Sequence, residues 1–566
     1  MKLTPDLQFP FVFEQPDAAF EKNAAAPDED TIRSLQSQGN TSDDWNQLRI
    51  APGAVLTGIR GCHFSGRCVL GSMVSLRHST FRDVVIEDSV EVLNCSLIRG
   101  YRLSRHCVIE QARMSHEGES LYGNDLAIPP AVEMSPYQVR LCAGMGWDDA
   151  VAALRGVSDL SLHDEAVEHV TKRIGRTHAF AGPGCVVRGG AVVYSSYIGA
   201  GRIIEGPYRI EASTLLGSTA ASVASCTGGG IIRSSILEAD AWVGDFGRCE
   251  RSMLFAGASV SRNGQVTDSV LGAHTGVAQG EVTASVLGPL VGVHHTSLLI
   301  ACMWPEGRGN VGSGAQVGSN HTSRLPDQSM VAGEGMFFGL ATAVKFPANY
   351  RESPYSVIAT GLITGPQTVR FPFSLLTLLD DTPSDAPDGY NRLIPGWMIS
   401  HNFFALLRNE LKFAKRLGRA RGSTLVIREE TAALVRDALA RLEAVSETDR
   451  WYYDGSIPGV GKNVLLESDR TRGIAAYRDF LDYHALRTAI AARTPMSKEA
   501  LAEGIDVLER LRGRTIDSRA RDFHRGVRVF AEYRLTHPEP EDDPDLKAVL
   551  SVLSQEMAEL HRLERA

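Results

Sequence analysis

The chain lacks any stretch approaching the ~18 uncharged apolar residues that a membrane-spanning helix needs. It also lacks a basic excess, since its net charge is −9 over 566 residues. Surplus Lys and Arg would mark a nucleic-acid binder, so neither nucleic acid nor a membrane is expected as a partner. Residues 1–25 carry prolines and acids where a secretion signal would need an unbroken apolar run. Cysteine is sparse: nine residues, odd in number, with no C-x-x-C pair. That excludes zinc sites of the finger or ribbon type and reads as small core residues in a reducing cytoplasm. Two catalytic signatures are missing as well. No G-x-S-x-G elbow is present, and Pro458-Gly459-Val460-Gly461-Lys462-Asn463 has neither the spacing nor the hydroxyl residue of a phosphate-binding P-loop. Hydrophobic residues at 43% and charged residues at 22% nevertheless allow a substantial core and exclude wholesale disorder.

Glycine is what the chain has in excess. There are 54, above the usual ~7% of residues, and they concentrate before residue 375. The same region repeats. A short motif of serine followed by apolar residues recurs at Ser196, Ser213, Ser235, Ser252, Ser269, Ser285 and Ser297, in steps of 17, 22, 17, 17, 16 and 12. An earlier run, at Cys62, Ser79 and Ser96, steps by 17 and 17. The step of 22 coincides with Cys226-Thr227-Gly228-Gly229-Gly230 and is assigned to an inserted bulge there. Within each period lies a second beat of six: Val186, Val192, Ile198, Ile204, Ile210 and Leu216. Ile50, Leu56, Cys62, Cys68 and Val74 begin the same way. Neither helix nor simple strand periodicity produces a beat of six. A three-sided coil does, with one short strand per side, small or left-handed residues at the corners, and aliphatics stacked along the axis.

The hexapeptide pattern, as in Val186–Val192 and Ile198–Ile204, resembles the left-handed parallel β-helix of the hexapeptide-repeat transferases. UDP-N-acetylglucosamine acyltransferase, serine acetyltransferase and the tails of sugar-nucleotide pyrophosphorylases belong to that superfamily. The chain as a whole is also similar to a group of uncharacterised bacterial proteins that join such a helix to a helical tail. The resemblance implies a mainly β fold, a left-handed parallel β-helix or three-sided solenoid, with an insertion and a C-terminal α-helical domain. It also implies a homotrimer. The divisions expected are an N-terminal extension at 1–49, first coils at 50–110, a partly helical insertion at 111–177, the main β-helix at 178–375, a linker at 376–399 and a helical domain at 400–566. Helices are expected around Trp147 and His163 in the insertion. In the tail they are expected through Phe404–Ala414, Leu434–Val445, Leu501–Leu511 and from Pro544.

Polar residues gather from about residue 292 onward, with Val311 and Val317 still on the beat. His321 is the first catalytic candidate. Acyltransferases of the superfamily use a histidine as general base on a hydroxyl or amine that attacks an acyl thioester, a role suited to its near-neutral pKa. Asn320 would stabilise the oxyanion. His294 and His295 are neighbours, so on a strand they face opposite ways; at most one enters a given site, and His295 is retained as a catalytic candidate. A structural hydrogen bond is the competing reading for each histidine. The γ-class carbonic anhydrases also resemble this fold, but their His-x-x-x-x-His pair is missing, so no metal site is assigned. Arg308, Arg324, Lys345, Arg351 and Tyr355 are substrate-binding candidates, because guanidinium matches phosphate oxygens bidentately. Ion pairing with Glu306, Glu334 and Glu352 is the alternative. The basic run Arg408, Lys412, Lys415, Arg416, Arg419 and Arg421 reads as a solvated helix face.

The expected function is acyl transfer from a thioester donor, with coenzyme A as the implied carrier, to a sugar or nucleotide-sugar in the cytoplasm. A noncatalytic trimeric scaffold or ligand-binding protein is the first alternative, and a sugar-nucleotide transferase the second.

Overall fold

A stretch of two to four residues is too short to stand as a strand alone, and from Ala179 to Trp304 the chain consists of such stretches. They gain stability by stacking in parallel on the equivalent stretch of the next coil. Val186 pairs with Ile203, Val193 with Ile210, and Ile198 with Leu215, each 17 residues on. The computed structural model in which these pairings occur describes residues 8–14, 18–133, 135–174, 178–217, 224–319, 329–379, 388–417, 424–446, 448–494, 496–530 and 532–563. It is a mainly β protein, a parallel β-solenoid with a C-terminal helical region. The chain divides into two compact units, one ending in the coils at Gly307, the other taking up at Arg308 and holding Met330 onward.

In the first unit, the fully buried interior is built from Val187, Val193, Ile198, Ile204, Ile210 and Leu215. The interior steps are therefore six, five, six, six and five. Val186, Val192 and Leu216, expected on a strict beat of six, are only half-buried. A coil of 17 residues does not divide by six, so one step per coil shortens. Neighbouring aliphatics such as Val186 and Val187 hide this in the sequence. Corners take the left-handed backbone region, at Ser195 (φ 43°), Ala212 (φ 45°) and Asp268 (φ 49°) as readily as at glycines. The wider coil also differs from expectation. Leu215 is in register with Ile198, 17 residues before it, and Cys226 with Val243, 17 after. The extra residues thus enter between Leu215 and Cys226, ahead of the triglycine.

The recurring serine has a structural task. Ser196, Ser213, Ser235, Ser252, Ser269 and Ser285 are buried. Each hydroxyl donates to the carbonyl two residues back, at 2.6–2.8 Å. Each also accepts the backbone N–H of its counterpart in the next coil, at 3.0–3.2 Å. The last acceptor in this row serves Cys302, 17 residues after Ser285. Ser297, which made the short step of 12, stands outside the row.

The insertion leaves the coils after Arg113–Ser115, which pairs onward with Val192–Tyr194, and returns at Ala179–Ala181. It contributes an antiparallel pair, Leu126–Ile128 with Val139–Leu141, and helices Trp147–Leu154 and Leu160–Arg173. Asp159 caps the second helix through the Ser161 N–H. Trp147 packs edge-on against Phe255 at 5.2 Å, and Arg155 pairs with Glu306 at 2.6 Å.

The second unit repeats the coil grammar at Asn310–Val311, Phe337–Phe338, Val357–Ile358 and Leu375–Thr377. Leu375–Thr377 then pairs antiparallel with Asn391–Ile394, which runs parallel to Asn463–Leu466. Helices Phe403–Leu417, Glu429–Glu443, Glu467–Ala492, Lys498–Val529 and Pro544–Leu563 complete it. Tyr477, Phe480 and Tyr483 form their shared core.

Candidate functional site

Glu334 sits in a turn of the second unit's coils with its carboxylate buried. A buried charge is costly unless paired and hydrogen-bonded, and here three groups meet it. Arg308 donates to Oε1 at 2.7 Å, the Tyr355 hydroxyl donates to the same oxygen at 2.6 Å, and Arg428 donates to Oε2 at 2.5 Å. Arg428 also reaches Oε1, at 3.2 Å, and stands at the start of helix Glu429–Glu443. Burial, followed by the charge of Glu334, pushes the Tyr355 hydroxyl well above its ordinary pKa. Burial works against the charge of Arg428, but the bond to Glu334 outweighs it and raises its pKa. The node fastens a helix start to the coils. Arg308 and Tyr355, expected to bind substrate, are engaged in it.

The other expected residues are not gathered with them. Lys345 ends strand Ala343–Lys345, half-buried and without an ion pair among the described residues. Arg351 is exposed, and its backbone N–H donates to Asn349 Oδ1 at 3.0 Å. His295 belongs to the first unit and occupies a corner (φ 51°) immediately after strand Gly292–His294. The two histidines therefore do not alternate along one strand; their rings lie 6.0 Å apart, and His295 Nδ1 contacts Gln279 Oε1 at 3.1 Å. His321, Asn320 and Arg324 lie outside the described residues. Among the described residues no three His, Cys, Asp or Glu side chains converge as a metal set would, and no helix is long and apolar enough to cross a membrane.

A cleft of about 520 Å³ does present free charge. It lies in the second unit, between the coil edge Pro366–Arg370 and the loop Asp454–Lys462. The loop is shaped by one carboxylate oxygen: Asp454 Oδ1 accepts the N–H groups of Gly459 and Gly461, each at 2.8 Å. Both glycines have positive φ, 97° and 68°. A side chain on Gly459 would collide with Arg370 Cβ at 2.8 Å, so glycine lets the Arg370 stem lie against the loop. Gln367, buried, accepts the Lys462 N–H at 3.0 Å and an Asn463 amide hydrogen at 2.8 Å, fixing the loop's far end. The Lys462 stem passes over Gly365 and brings its ammonium to the cleft.

Two cations thus line a concave surface beside Thr368 and Tyr390. The Lys462 ammonium has no hydrogen bond or ion pair among the described residues, and the nearest carboxylate oxygen to Arg370 is on Glu352 at 3.8 Å. Such an arrangement can hold an anion by paired charge and hydroxyl donors. Sequence reasoning passed over this site because Gly-Val-Gly-Lys fails the P-loop pattern. The usable signal was Asp454 five and seven residues ahead of two glycines followed by lysine; nothing in the sequence ties Arg370 or Tyr390 to that loop.

Residues 26–416 match a family described as a domain of unknown function, DUF4954. A protein of Treponema pallidum (strain Nichols), described as an uncharacterized protein, is 29% identical over 178 residues. That stretch is 31% of this chain and 23% of the relative, so under a quarter of the relative's length is represented. Since the family match spans well over half of the residues, the chain belongs to the DUF4954 family.

Proposed function

We propose that this chain is a ligand-binding β-solenoid protein whose second unit holds a phosphate-bearing small molecule in the cleft of Lys462 and Arg370. The observation behind the proposal is the uncompensated Lys462 ammonium in a cleft of about 520 Å³ with a second cation on its wall. Clefts of that size suit metabolite-sized ligands. A nucleotide-sugar, with two phosphates and a polar sugar, is the ligand class adopted. The coils are assigned to the left-handed, three-sided form, supported by three parallel ladders of pairing one coil apart, and the protein to a homotrimer by its resemblance to hexapeptide-repeat proteins.

The test is thermal unfolding of the full chain with inorganic phosphate, UDP-N-acetylglucosamine and acetyl-coenzyme A. A rise in Tm with a phosphate compound, abolished by Lys462→Glu and weakened by Arg370→Ala, is the expected outcome. No rise across the panel, or an undiminished rise in Lys462→Glu, overturns the proposal. Acyl transfer to a sugar or nucleotide-sugar is the second reading. It is favoured by the hexapeptide pattern and by Asn320-His321 among polar residues, with His321 as base and a coenzyme A thioester as donor. Loss of turnover in His321→Ala with unchanged Tm would support it.

A further inference from the structure

Helix Lys498–Val529 ends in a tip that is packed on one side and bare on the other. Its packed side is well made. Phe523 is buried, and Tyr533 lies 5.9 Å from its ring and stacks on His537 at 3.7 Å. Gly526 leaves room for Tyr533, whose ring a side chain there would strike at 2.7 Å. The reversal is closed by the Tyr533 N–H donating to the Phe530 carbonyl at 2.9 Å. The bare side carries three large apolar groups: Val529 is 82% exposed, Phe530 55% and Leu535 83%. Because the inner side is packed, these groups are presented outward by a folded turn.

Around them stand arginines. Arg521, Arg525 and Arg528 are spaced i, i+4, i+7, which places them along one helix face. All three are exposed and make no hydrogen bond or ion pair among the described residues. We infer that this tip docks on an anionic lipid surface, Phe530, Leu535 and Val529 entering the interfacial layer and the three arginines meeting headgroup phosphates. The combination decides the occupant. Unpaired arginine calls for negative charge, while separate projecting apolar side chains call for a medium that yields around them, which an acidic protein or nucleic-acid surface does not provide. The expectation of no membrane partner rested on the lack of an apolar span and does not bear on peripheral docking.

The test is co-sedimentation of the full chain with vesicles of phosphatidylcholine alone and of phosphatidylcholine containing one quarter phosphatidylglycerol. Binding to the anionic vesicles only is expected. Arg525→Glu with Arg528→Glu, and separately Phe530→Ser with Leu535→Ser, should each lower partitioning about ten-fold or more while leaving Tm unchanged, since these side chains are exposed. No binding to anionic vesicles, equal binding to neutral ones, or full binding by either double variant overturns the inference. Self-association abolished by Phe530→Ser with Leu535→Ser, without vesicle binding, would assign the surface to a second copy instead.

Discussion

Burial decides which single charged groups titrate in the ordinary pH range. Arg202 is fully buried and spends its guanidinium on the carbonyls of Leu216, Glu238 and Ala241 and the hydroxyl of Ser225. Desolvation lowers its pKa to about 10, so it stays charged at neutrality. Glu238 behaves otherwise. Desolvation raises its carboxyl from the usual 4.5 to about 7, opposed only in part by the Ala256 N–H. Between those two values the native state binds more protons at this site than the unfolded chain does. Stability must therefore fall as pH rises through that window. Below 4.5 both states are protonated, and the site contributes no slope. Glu238→Gln keeps an acceptor for Ala256 and never ionises. The variant should match the parent near pH 4 and exceed it at pH 8 by on the order of 1–3 kcal/mol, read from urea unfolding of both proteins at the two pH values. A parent whose stability does not fall across the window sinks the assignment.

At the scale of the element, the coil is held by the serine row as much as by its aliphatic filling. Ser252 Oγ satisfies two backbone groups at once, accepting from the Ser269 N–H at 3.1 Å and donating to the Glu250 carbonyl at 2.7 Å. Ser252→Ala leaves both without these partners in a dry interior, which costs about 1–3 kcal/mol. Ser259→Ala, on a half-buried strand position, should cost under about 0.5 kcal/mol; denaturant midpoints compare the two, and equal costs would remove the row's special role. This row is also what made the fold legible. A side chain that must bond the next coil recurs at the coil length, and 17 was readable from serine spacing alone. The interior steps were less readable because apolar residues flank the inward positions. Helix Glu467–Ala492 escaped because its buried stripe is Asp469, Gly473, Ala476, Tyr477, Phe480, Tyr483 and Leu486, only one of them aliphatic and branched. The site was less legible still. Arg308 and Tyr355 have the residue types of a phosphate site, yet both turn to Glu334, and the second arginine of that node, Arg428, is 94 residues from it in sequence. Spacing carries local geometry, whereas partners that distant are brought together only by the tertiary fold.

Across the molecule, chemistry-bearing residues are unevenly placed. All nine cysteines fall at or before Cys302, all are free, and all are buried. Cys107 and Cys185 touch across adjacent coils, sulfur to sulfur at 3.3 Å. Desolvation pushes Cys62 and Cys68 to about 11 and Cys142 and Cys249 to about 12. Since the thiolate is the reactive form, a thiol in this setting is protected twice, by exclusion of reagent and by suppression of the anion. Every cysteine also lies in the first unit, so thiol labelling reports opening of those coils alone, and the second unit is silent to it. Native protein treated with an aromatic disulfide reagent at pH 8 should release essentially no thiolate over minutes, and protein in 6 M guanidinium nine equivalents. At intermediate denaturant the labelling rate should follow unfolding of the first unit, because a row of stacked coils exposes an interior thiol only by parting from its neighbours. Rapid labelling of even one equivalent in native buffer would mean that a coil opens locally, and would refute a continuously closed interior.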